Sequence, residues 1–519
     1  MILALTIFSV PVVCIAAVIL RIRKVRLAYI WLALFTMVLV TLLILIFSAP
    51  VSAEPFTIEK YFKAGNEEIN IIFQLKKENR IAGIGVFVLM MAFLATETAS
   101  PHGNQSLSEW IITLLFSTGA WVVLLAGNSW TVLIGWTILD MIDMVKNAAY
   151  RHISSKYFLS FYFIKFLGSI ALVYVISGTY QSNPNDLIGG TIKNMGIWIL
   201  LSVLLHGGVL PFVSAQENRQ KADKHLRIIE ILIFISHFYL LTQVPGTGLS
   251  PIMRLVMKVI TLSGAIFSAI RSIIDSRGER RFSDLVATLA FLAGYAFISE
   301  NQVGVLYFLL SSVPICWLYL FGSRSRKHFI IWIIYLFFLT GFPFSLNYAA
   351  INSLVLQNQF LESIAIGIPL ALVNASLFQL MKKTDKKYSQ MQKINEVFYT
   401  LGLILPLGGM ILIIIENHID VSFRSLWYGG IQIGMVVLFL WINGMGKKKQ
   451  ENRHKNISIP KQLLIEQEKI GDVFSLANSA INNTLHFIAK LFEEDGGILW
   501  ALVFLSLLLT ILRSQGGSS

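Results

Sequence analysis

Residues 27–47 read LAYIWLALFTMVLVTLLILIF, a run without a single charged side chain. A helix rises about 1.5 Å per residue and the hydrocarbon core of a bilayer is about 30 Å thick, so about twenty apolar residues can cross it. Comparable runs recur along residues 1–513. The sequence therefore predicts an all-α, polytopic membrane protein with about sixteen spanning helices.

The composition agrees with a membrane protein. Of the 519 residues 55% are hydrophobic and only 14% are charged, with a mean hydropathy of +0.69, whereas soluble chains carry roughly 25% charged residues. The net charge of +13 does not indicate nucleic acid, because the basic residues lie in short loops beside apolar runs, where they orient helices in the lipid bilayer. Both cysteines, Cys14 and Cys316, fall within apolar runs, which argues against a disulfide framework.

Basic and base-poor loops alternate along the chain, without a break from Lys146 onward. The positive-inside rule then predicts that both termini lie outside the cytoplasm. The predicted spans begin at Met1, Leu27, Ile81, Glu109, Ser129, Tyr157, Ile197, Ile228, Ile252, Leu285, Val303, Phe329, Leu361, Val397, Leu426 and Ile498.

The chain divides by composition into three segments. Residues 1–443 form the predicted transmembrane core, residues 444–497 a basic and amphipathic segment on the cytoplasmic side, and residues 498–519 a final transmembrane anchor. Within the second segment, apolar residues recur at helical spacing over residues 460–492. This pattern is typical of a lateral amphipathic helix on the membrane or against partner subunits, and a simple linker is the alternative.

Ionisable residues inside two predicted spans are candidates for function, because charges in a membrane are costly and usually paired or functional. The fifth span, SWTVLIGWTILDMIDMVKNAAY, carries Asp140, Asp143 and Lys146 at intervals of three, on one helix face. They form either an acid pair with a counter-ion that can pass a proton, or a solvated group at the cytoplasmic boundary. Lys165 in the sixth span is a pathway lysine, a counter-ion to these acids, or a lysine that snorkels to the surface.

Histidines occur in the seventh and eighth spans. His206 is interpreted as lying mid-helix and is followed by two glycines and Pro211, which loosen the helical hydrogen bonds. It is either a proton relay or a neutral packing histidine. In the eighth span Glu230 and His237 are seven residues apart and share a face, with Glu230 near the cytoplasmic end, where solvation is an alternative.

Two further helices are predicted to be interrupted. Pro314 lies in the middle of the eleventh span, and Gly341 and Pro343 lie in the twelfth; proline removes a backbone donor and clashes with the preceding turn. The sequence contains no zinc-type Cys/His cluster, phosphate-binding glycine loop or nucleophile motif. We therefore expect no metal, no cofactor and no catalytic site in this chain.

Four stretches carry a resemblance to a known family: residues 128–130 with 135–137 (NSW and GWT), His206 with Pro211, residues 237–239 (HFY) and residues 341–344 (GFPF). They are similar to motifs of the antiporter-like subunits of complex I, membrane-bound hydrogenases and Mrp cation/proton antiporters. The large sixteen-helix type of that family also ends in a lateral helix and a last anchoring span.

The resemblance has departures. The family glutamate of the fifth span falls on Thr137, with Asp140 one turn later, and the lysine of the seventh span falls on His206. The family lysines of the eleventh and twelfth spans fall near Pro314 and Ile351. Residues 280–288 do not reproduce the family's Asp-x-Lys-Arg stretch.

The resemblance implies a membrane subunit of a multi-subunit complex, such as an ion-translocating oxidoreductase or transporter, in a bacterial or archaeal inner or plasma membrane. Other membrane subunits and a soluble cytoplasmic partner are the expected partners. Protons or sodium would pass through a rebuilt pathway formed by Asp140, Asp143, Lys146, Lys165, His206, Glu230 and His237. Two alternatives stay open. One is a non-pumping scaffold or docking subunit; the other is the membrane partner of a two-component inorganic-carbon uptake system, with a soluble protein docking on basic loops such as residues 382–393.

Overall fold

The computed structural model describes residues 2–48, 55–64, 67–97, 107–150, 155–179, 195–209, 224–244, 248–274, 278–321, 329–341, 343, 345–356, 360–381, 393–416 and 429–439. Helices dominate these residues. They are α1 (Ile2–Ile22), α2 (Leu27–Phe47), α3 (Lys77–Glu97), α4 (Leu107–Leu124), α5 (Ser129–Tyr150), α6 (Ser155–Thr179), α7 (Gly196–His206), α8 (Lys224–Phe238), α9 (Leu240–Gln243), α10 (Pro251–Ile274), α11 (Gly278–Ile298), α12 (Gln302–Phe321), α13 (Phe329–Leu339), α14 (Leu346–Leu356), α15 (Phe360–Met381), α16 (Lys393–Glu416) and α17 (Gly429–Phe439).

The all-α polytopic fold is confirmed. Nine helices within the described ranges are long and apolar enough to cross a membrane, and shorter apolar helices accompany them. Each predicted span from Met1 to Leu426 corresponds to a helix. The predicted lateral helix at residues 460–492 and the last span at residues 498–519 lie outside the described residues.

The chain forms two compact units. One comprises residues 1–152 and 165–441, and the other comprises residues 153–164 and 442–519, of which only the first turns of α6 are described. In the first unit α3, α11 and α12 are buried along almost their whole length. By contrast, α1, α2 and α10 expose apolar side chains such as Phe8, Phe47 and Ile252, which suits contact with lipid or other subunits.

A hairpin that the sequence reading did not predict lies between α2 and α3. Strands β1 (Phe56–Ala64) and β2 (Glu67–Phe73) pair antiparallel. It is fastened to the start of α5, because the Ile72 amide donates to Thr131 Oγ1 over 2.9 Å and the Gly127 amide donates to the Ile72 carbonyl over 2.7 Å.

The predicted interruption at Gly341 and Pro343 is confirmed, since α13 ends at Leu339 and α14 begins only at Leu346. Amide side chains hydrogen-bond the freed backbone groups. The Leu339 carbonyl accepts Asn347 Nδ2 at 2.6 Å and Asn374 Nδ2 at 3.0 Å. Broken helices occur in membranes where neighbouring side chains supply such partners.

The predicted interruption at Pro314 is wrong, because α12 continues through it. A proline removes one backbone hydrogen bond, but α12 is packed on nearly every side, and this packing holds the helix on both sides of the missing bond.

The seventh span also differs from the prediction, because His206 is the last residue of α7 rather than a mid-helix residue. The next two residues form a turn, in which Gly208 has a φ of 72°, a backbone conformation that glycine adopts without a Cβ clash. Pro211 lies outside the described residues.

Candidate functional site

Helices α5 and α6 bring four charged side chains into an alternating series. Lys146 Nζ lies 2.5 Å from Asp143 Oδ1, within α5. From α6, Lys165 Nζ lies 3.6 Å from Asp143 Oδ2 and 2.8 Å from Asp140 Oδ1. The spacing of three residues puts the α5 groups on one face, and α6 supplies the second cation. Lys165 therefore is a counter-ion to both aspartates.

The series is shielded from solvent. Asp143 and Lys146 are buried, so the interpretation that they are solvated at the cytoplasmic boundary is wrong. The side chain of Lys165 is only 3% exposed, so it does not snorkel to the surface, whereas that of Asp140 is 24% exposed. Charges this deeply buried are tolerated only when they are paired, and the alternation provides each with an opposite neighbour.

His206 extends the series from α7. Its Nε2 atom lies 3.1 Å from Asp140 Oδ2, a close contact that is not aligned as a hydrogen bond, and the imidazole is fully buried. The position of His206 is set by a close approach of α6 to α7. A Cβ added to Gly168 would lie 2.8 Å from the His206 backbone nitrogen, and Ser202 Oγ donates to the Gly168 carbonyl over 2.7 Å.

His237 of α8 is packed against His206 and against Trp136 of α5. The ring centroids are 4.6 Å apart for the two histidines, 4.5 Å for Trp136 and His206, and 4.8 Å for Trp136 and His237, with interplanar angles of 19–28°. His237 Nδ1 lies 2.6 Å from the Ile233 carbonyl. Because a carbonyl only accepts, Nδ1 carries the proton and Nε2 is free to accept one.

The structure thus brings together six of the seven predicted pathway residues. Glu230 pairs with Arg227 at 3.0 Å, two helical turns along α8 from His237. Whether any of the seven carries an ion stays a prediction.

The sequence reading missed two features of the site and its surroundings. Trp136 had been used only as part of a family motif, although its position four residues before Asp140 puts it on the same helix face. Lys258 pairs with Glu362 at 2.9 Å, and Glu362 also accepts the Tyr295 hydroxyl at 2.6 Å. This second ion pair joins α10 to α15, and residues 104 positions apart give no signal of contact in a single sequence.

The described residues contain no group of three or more His, Cys, Asp or Glu side chains that could hold a metal ion. The carboxylate, ammonium and imidazole groups of α5 to α8 are of the kinds that can hold and pass protons.

Comparison with known proteins finds similarity only at the level of three-dimensional structure. No protein-family model and no curated protein matches the sequence. Among solved structures, 99% of this chain matches a chain of the Mrp complex from a Dietzia species, with a TM-score of 0.71 and 10% identity. The match spans 63% of that longer chain.

Two further solved structures are similar. A chain of the archaeal membrane-bound sulfane sulfur reductase, a respiratory membrane complex, matches over 99% of this chain and 100% of its own length, with a TM-score of 0.67 and 13% identity. A chain of respiratory complex I from Thermus thermophilus matches over 78% of this chain and 97% of its own, with a TM-score of 0.58 and 11% identity. The chain therefore has the fold of these membrane-complex chains, as the resemblance to antiporter-like subunits implied.

Proposed function

We propose that this chain is a membrane subunit of a multi-subunit ion-translocating complex, and that protons pass through the cluster of α5 to α8. The observation that carries the proposal is an uninterrupted series of contacts between titratable side chains. From Lys146 through Asp143, Lys165 and Asp140 to His206, each neighbouring pair is separated by 3.6 Å or less, and His206 is packed against His237.

The position of the series along the helices supports a route toward the middle of the membrane. Asp140 is eleven residues from the start of α5 and His206 is ten residues from the start of α7. At a rise of about 1.5 Å per residue, each lies about 15–17 Å from its helix start, close to half of a hydrocarbon core of about 30 Å. Lys146 lies nearer the helix end that loop charges predict to be cytoplasmic, so protons would enter from that side.

The pairing of Lys165 with two acids supplies a chemical step. A proton that arrives on Asp140 neutralises one of the two partners of Lys165, and the ammonium group is then attracted more strongly to Asp143. The same proton can leave Asp140 for His206 Nε2, because the two atoms are in contact. Protonation of Asp140 would thus be coupled to a movement of the Lys165 ammonium group.

Similar structures support the expected setting. All three come from membrane complexes, which favours other membrane subunits as partners and, as a further proposal, a prokaryotic inner membrane. We also propose a soluble cytoplasmic partner, on the sequence alone. The basic side chains on which it would dock occur within residues 382–392 and 440–519, which lie outside the described residues.

One observation favours the alternative function of a non-pumping scaffold. The polar groups around the interrupted helix α13–α14 are uncharged: Ser311 Oγ contacts Asn347 Oδ1 at 2.8 Å, and Gln432 accepts the Gly341 amide. In this part of the described chain, α12, α13, α14 and α17 contain no Lys, Arg, His, Asp or Glu. If the route must cross this region, conduction would stop there.

Ion flux decides between the two functions. The full-length chain with its co-purifying subunits would be placed in sealed vesicles and proton flux recorded with a pH-sensitive dye. If protons take this route, Asp140→Asn and His206→Ala each lower the flux by at least about tenfold, which corresponds to about 1.4 kcal/mol of barrier. Glu362→Gln is the matched control, since it also alters a lysine-paired membrane carboxylate, and it should change flux less than twofold. Unchanged flux in both cluster variants, with the complex intact, would favour the scaffold.

A further inference from the structure

The turn between α1 and α2, residues 21–26, carries a cluster of positive charge and is called the basic turn below. Its cations are the exposed side chains of Arg21, Arg23, Lys24 and Arg26. Residues 1–53 contain no Asp or Glu that could neutralise them. In the described part of the chain none of the four side chains forms a salt bridge or a hydrogen bond, whereas Arg227, Arg254 and Lys258 are each paired with a glutamate. The basic turn therefore offers four uncompensated charges to a partner outside the chain.

One of these cations is held in a backbone conformation that is costly for a lysine. Lys24 has a φ of 59°, in the left-handed region that glycine usually occupies at the end of a helix. The Val25 amide donates to the Leu20 carbonyl over 3.0 Å, and the Lys24 amide donates to the Arg21 carbonyl over 2.9 Å; this pair of bonds is the Schellman motif. Glycine would fit the position without strain, and strained residues are concentrated where their side chains are used. The lysine therefore indicates a role for its charge.

Exposed apolar side chains flank the basic turn on both helices. They are Val18, Ile19 and Ile22 of α1 and Tyr29 and Leu32 of α2. Both helices are long and apolar enough to cross a membrane, so these side chains face the end of the bilayer core next to the turn. Tyrosine is enriched at that boundary. A ligand that fits the whole surface is anionic at one end and apolar along the rest.

We propose that the basic turn and the adjoining faces of α1 and α2 bind an anionic diacyl phospholipid, in the leaflet that loop charges predict to be cytoplasmic. Its phosphate lies among the four cations, since guanidinium groups give two parallel N–H donors to phosphate oxygens. Its acyl chains lie along Ile19, Ile22 and Leu32. Clusters of Lys and Arg next to a spanning helix attract anionic lipid. A soluble acidic protein would contact the charges but not the apolar side chains, which face the bilayer.

Lipid binding is measured by native mass spectrometry of the full-length chain with its co-purifying subunits in detergent. The complex is titrated with dioleoyl phosphatidylglycerol or with zwitterionic dioleoyl phosphatidylcholine, and we expect the anionic lipid to bind more tightly. Arg23→Gln and Lys24→Gln each remove one charge and leave three to orient the helices. Each should weaken phosphatidylglycerol binding about fivefold, the size expected for one cation beside anionic lipid, and leave phosphatidylcholine binding unchanged.

Lys77→Gln is the matched control. Lys77 is also an exposed cation at the end of a spanning helix, α3, but at the end that loop charges predict to face outward, so its variant should bind phosphatidylglycerol like the wild type. Wild-type binding in both Arg23→Gln and Lys24→Gln would overturn the proposal. Equally tight binding of glycerol 3-phosphate, which lacks acyl chains, would also overturn it. So would the loss of a co-purifying subunit from the two variants with lipid binding intact, because the turn would then dock an acidic protein.

Lys24→Gly distinguishes a lipid site from a turn with only a structural role. The substitution removes the charge and also relieves the left-handed backbone conformation. Unfolding in mixed detergent and SDS should therefore shift to a higher SDS fraction, while phosphatidylglycerol binding weakens about fivefold. A gain in stability with lipid binding unchanged would refute the lipid site.

Discussion

A methyl group added at Gly168 tests how closely the site depends on the contact between α6 and α7. In Gly168→Ala the new Cβ would lie 2.8 Å from the His206 backbone nitrogen, 2.9 Å from His206 Cβ and 3.0 Å from the Ser202 carbonyl. These three atoms belong to α7 backbone or to its first side-chain atom, so no flexible side chain can rotate away. The two helices must therefore separate.

The size of the effect follows from these distances. Ordinary contacts of a Cβ begin at 3.4 Å, so α6 and α7 must move apart by roughly 0.4–0.6 Å, and overpacking of this kind costs about 1–3 kcal/mol. The hydrogen bond from Ser202 Oγ to the Gly168 carbonyl, now 2.7 Å, is stretched by the same movement. Because Lys165 lies one turn before Gly168 and His206 lies across from it, both contacts with Asp140 are also disturbed.

Two measurements test Gly168→Ala: the free energy of reversible unfolding in mixed detergent and SDS, and the proton flux in vesicles. We expect a loss of about 1–3 kcal/mol in the free energy of unfolding, together with lower flux. Gly408→Ala on α16 is the matched control, because nothing lies within 4 Å of its added Cβ. There the better helix propensity of alanine should stabilise the chain by about 0.5–1 kcal/mol. If Gly168→Ala were as stable as Gly408→Ala, the close approach of α6 and α7 would be refuted.

Two further predictions concern polar pairs inside the bundle. Lys165→Met should cost about 3–5 kcal/mol in unfolding experiments, because it leaves Asp140 without its lysine, and adding Asp140→Asn should restore at least about 1 kcal/mol; a double variant no more stable than Lys165→Met would contradict the pairing. At the interrupted helix, Asn374→Leu and Asn347→Leu should each cost about 1–2 kcal/mol, and the double variant more than their sum, because the Leu339 carbonyl then loses both donors. Strict additivity in the same unfolding assay would show that the two amides do not share this acceptor.

The membrane fold could be predicted from the sequence because its signals are local. Uncharged runs such as residues 27–47 identify spanning helices from length and hydropathy alone, and Gly341 with Pro343 marks a true interruption. The expectation that a proline interrupts a helix failed at Pro314, because α12 is buried on nearly all sides and continues through it. The hairpin of β1 and β2 was missed because it is held to α5 by contacts such as Ile72 with Thr131, which lie 59 positions apart in the chain.

The candidate site could be predicted only in part for a related reason. The spacing of Asp140, Asp143 and Lys146 showed their common face, and the cost of charge in lipid indicated that Lys165 needs a partner. Which partner it has depends on the packing of α6 against α5. The neighbours of His206 likewise depend on where α7 ends.

The charge balance of the cluster explains why Asp140 is the natural place for a proton to act. Two lysines and two aspartates sum to zero when ionised, so the series can be buried without a further counter-ion, and an added proton leaves one uncompensated positive charge in a medium of low dielectric. Of the two acids Asp140 is the less enclosed by the protein, with 24% of its side chain exposed against 5% for Asp143, and it is therefore the more accessible to an incoming proton. It also contacts both Lys165 and His206, so a proton accepted there can shift the lysine or move on to the histidine. Accessibility and contacts therefore favour the same residue as the one that first accepts a proton.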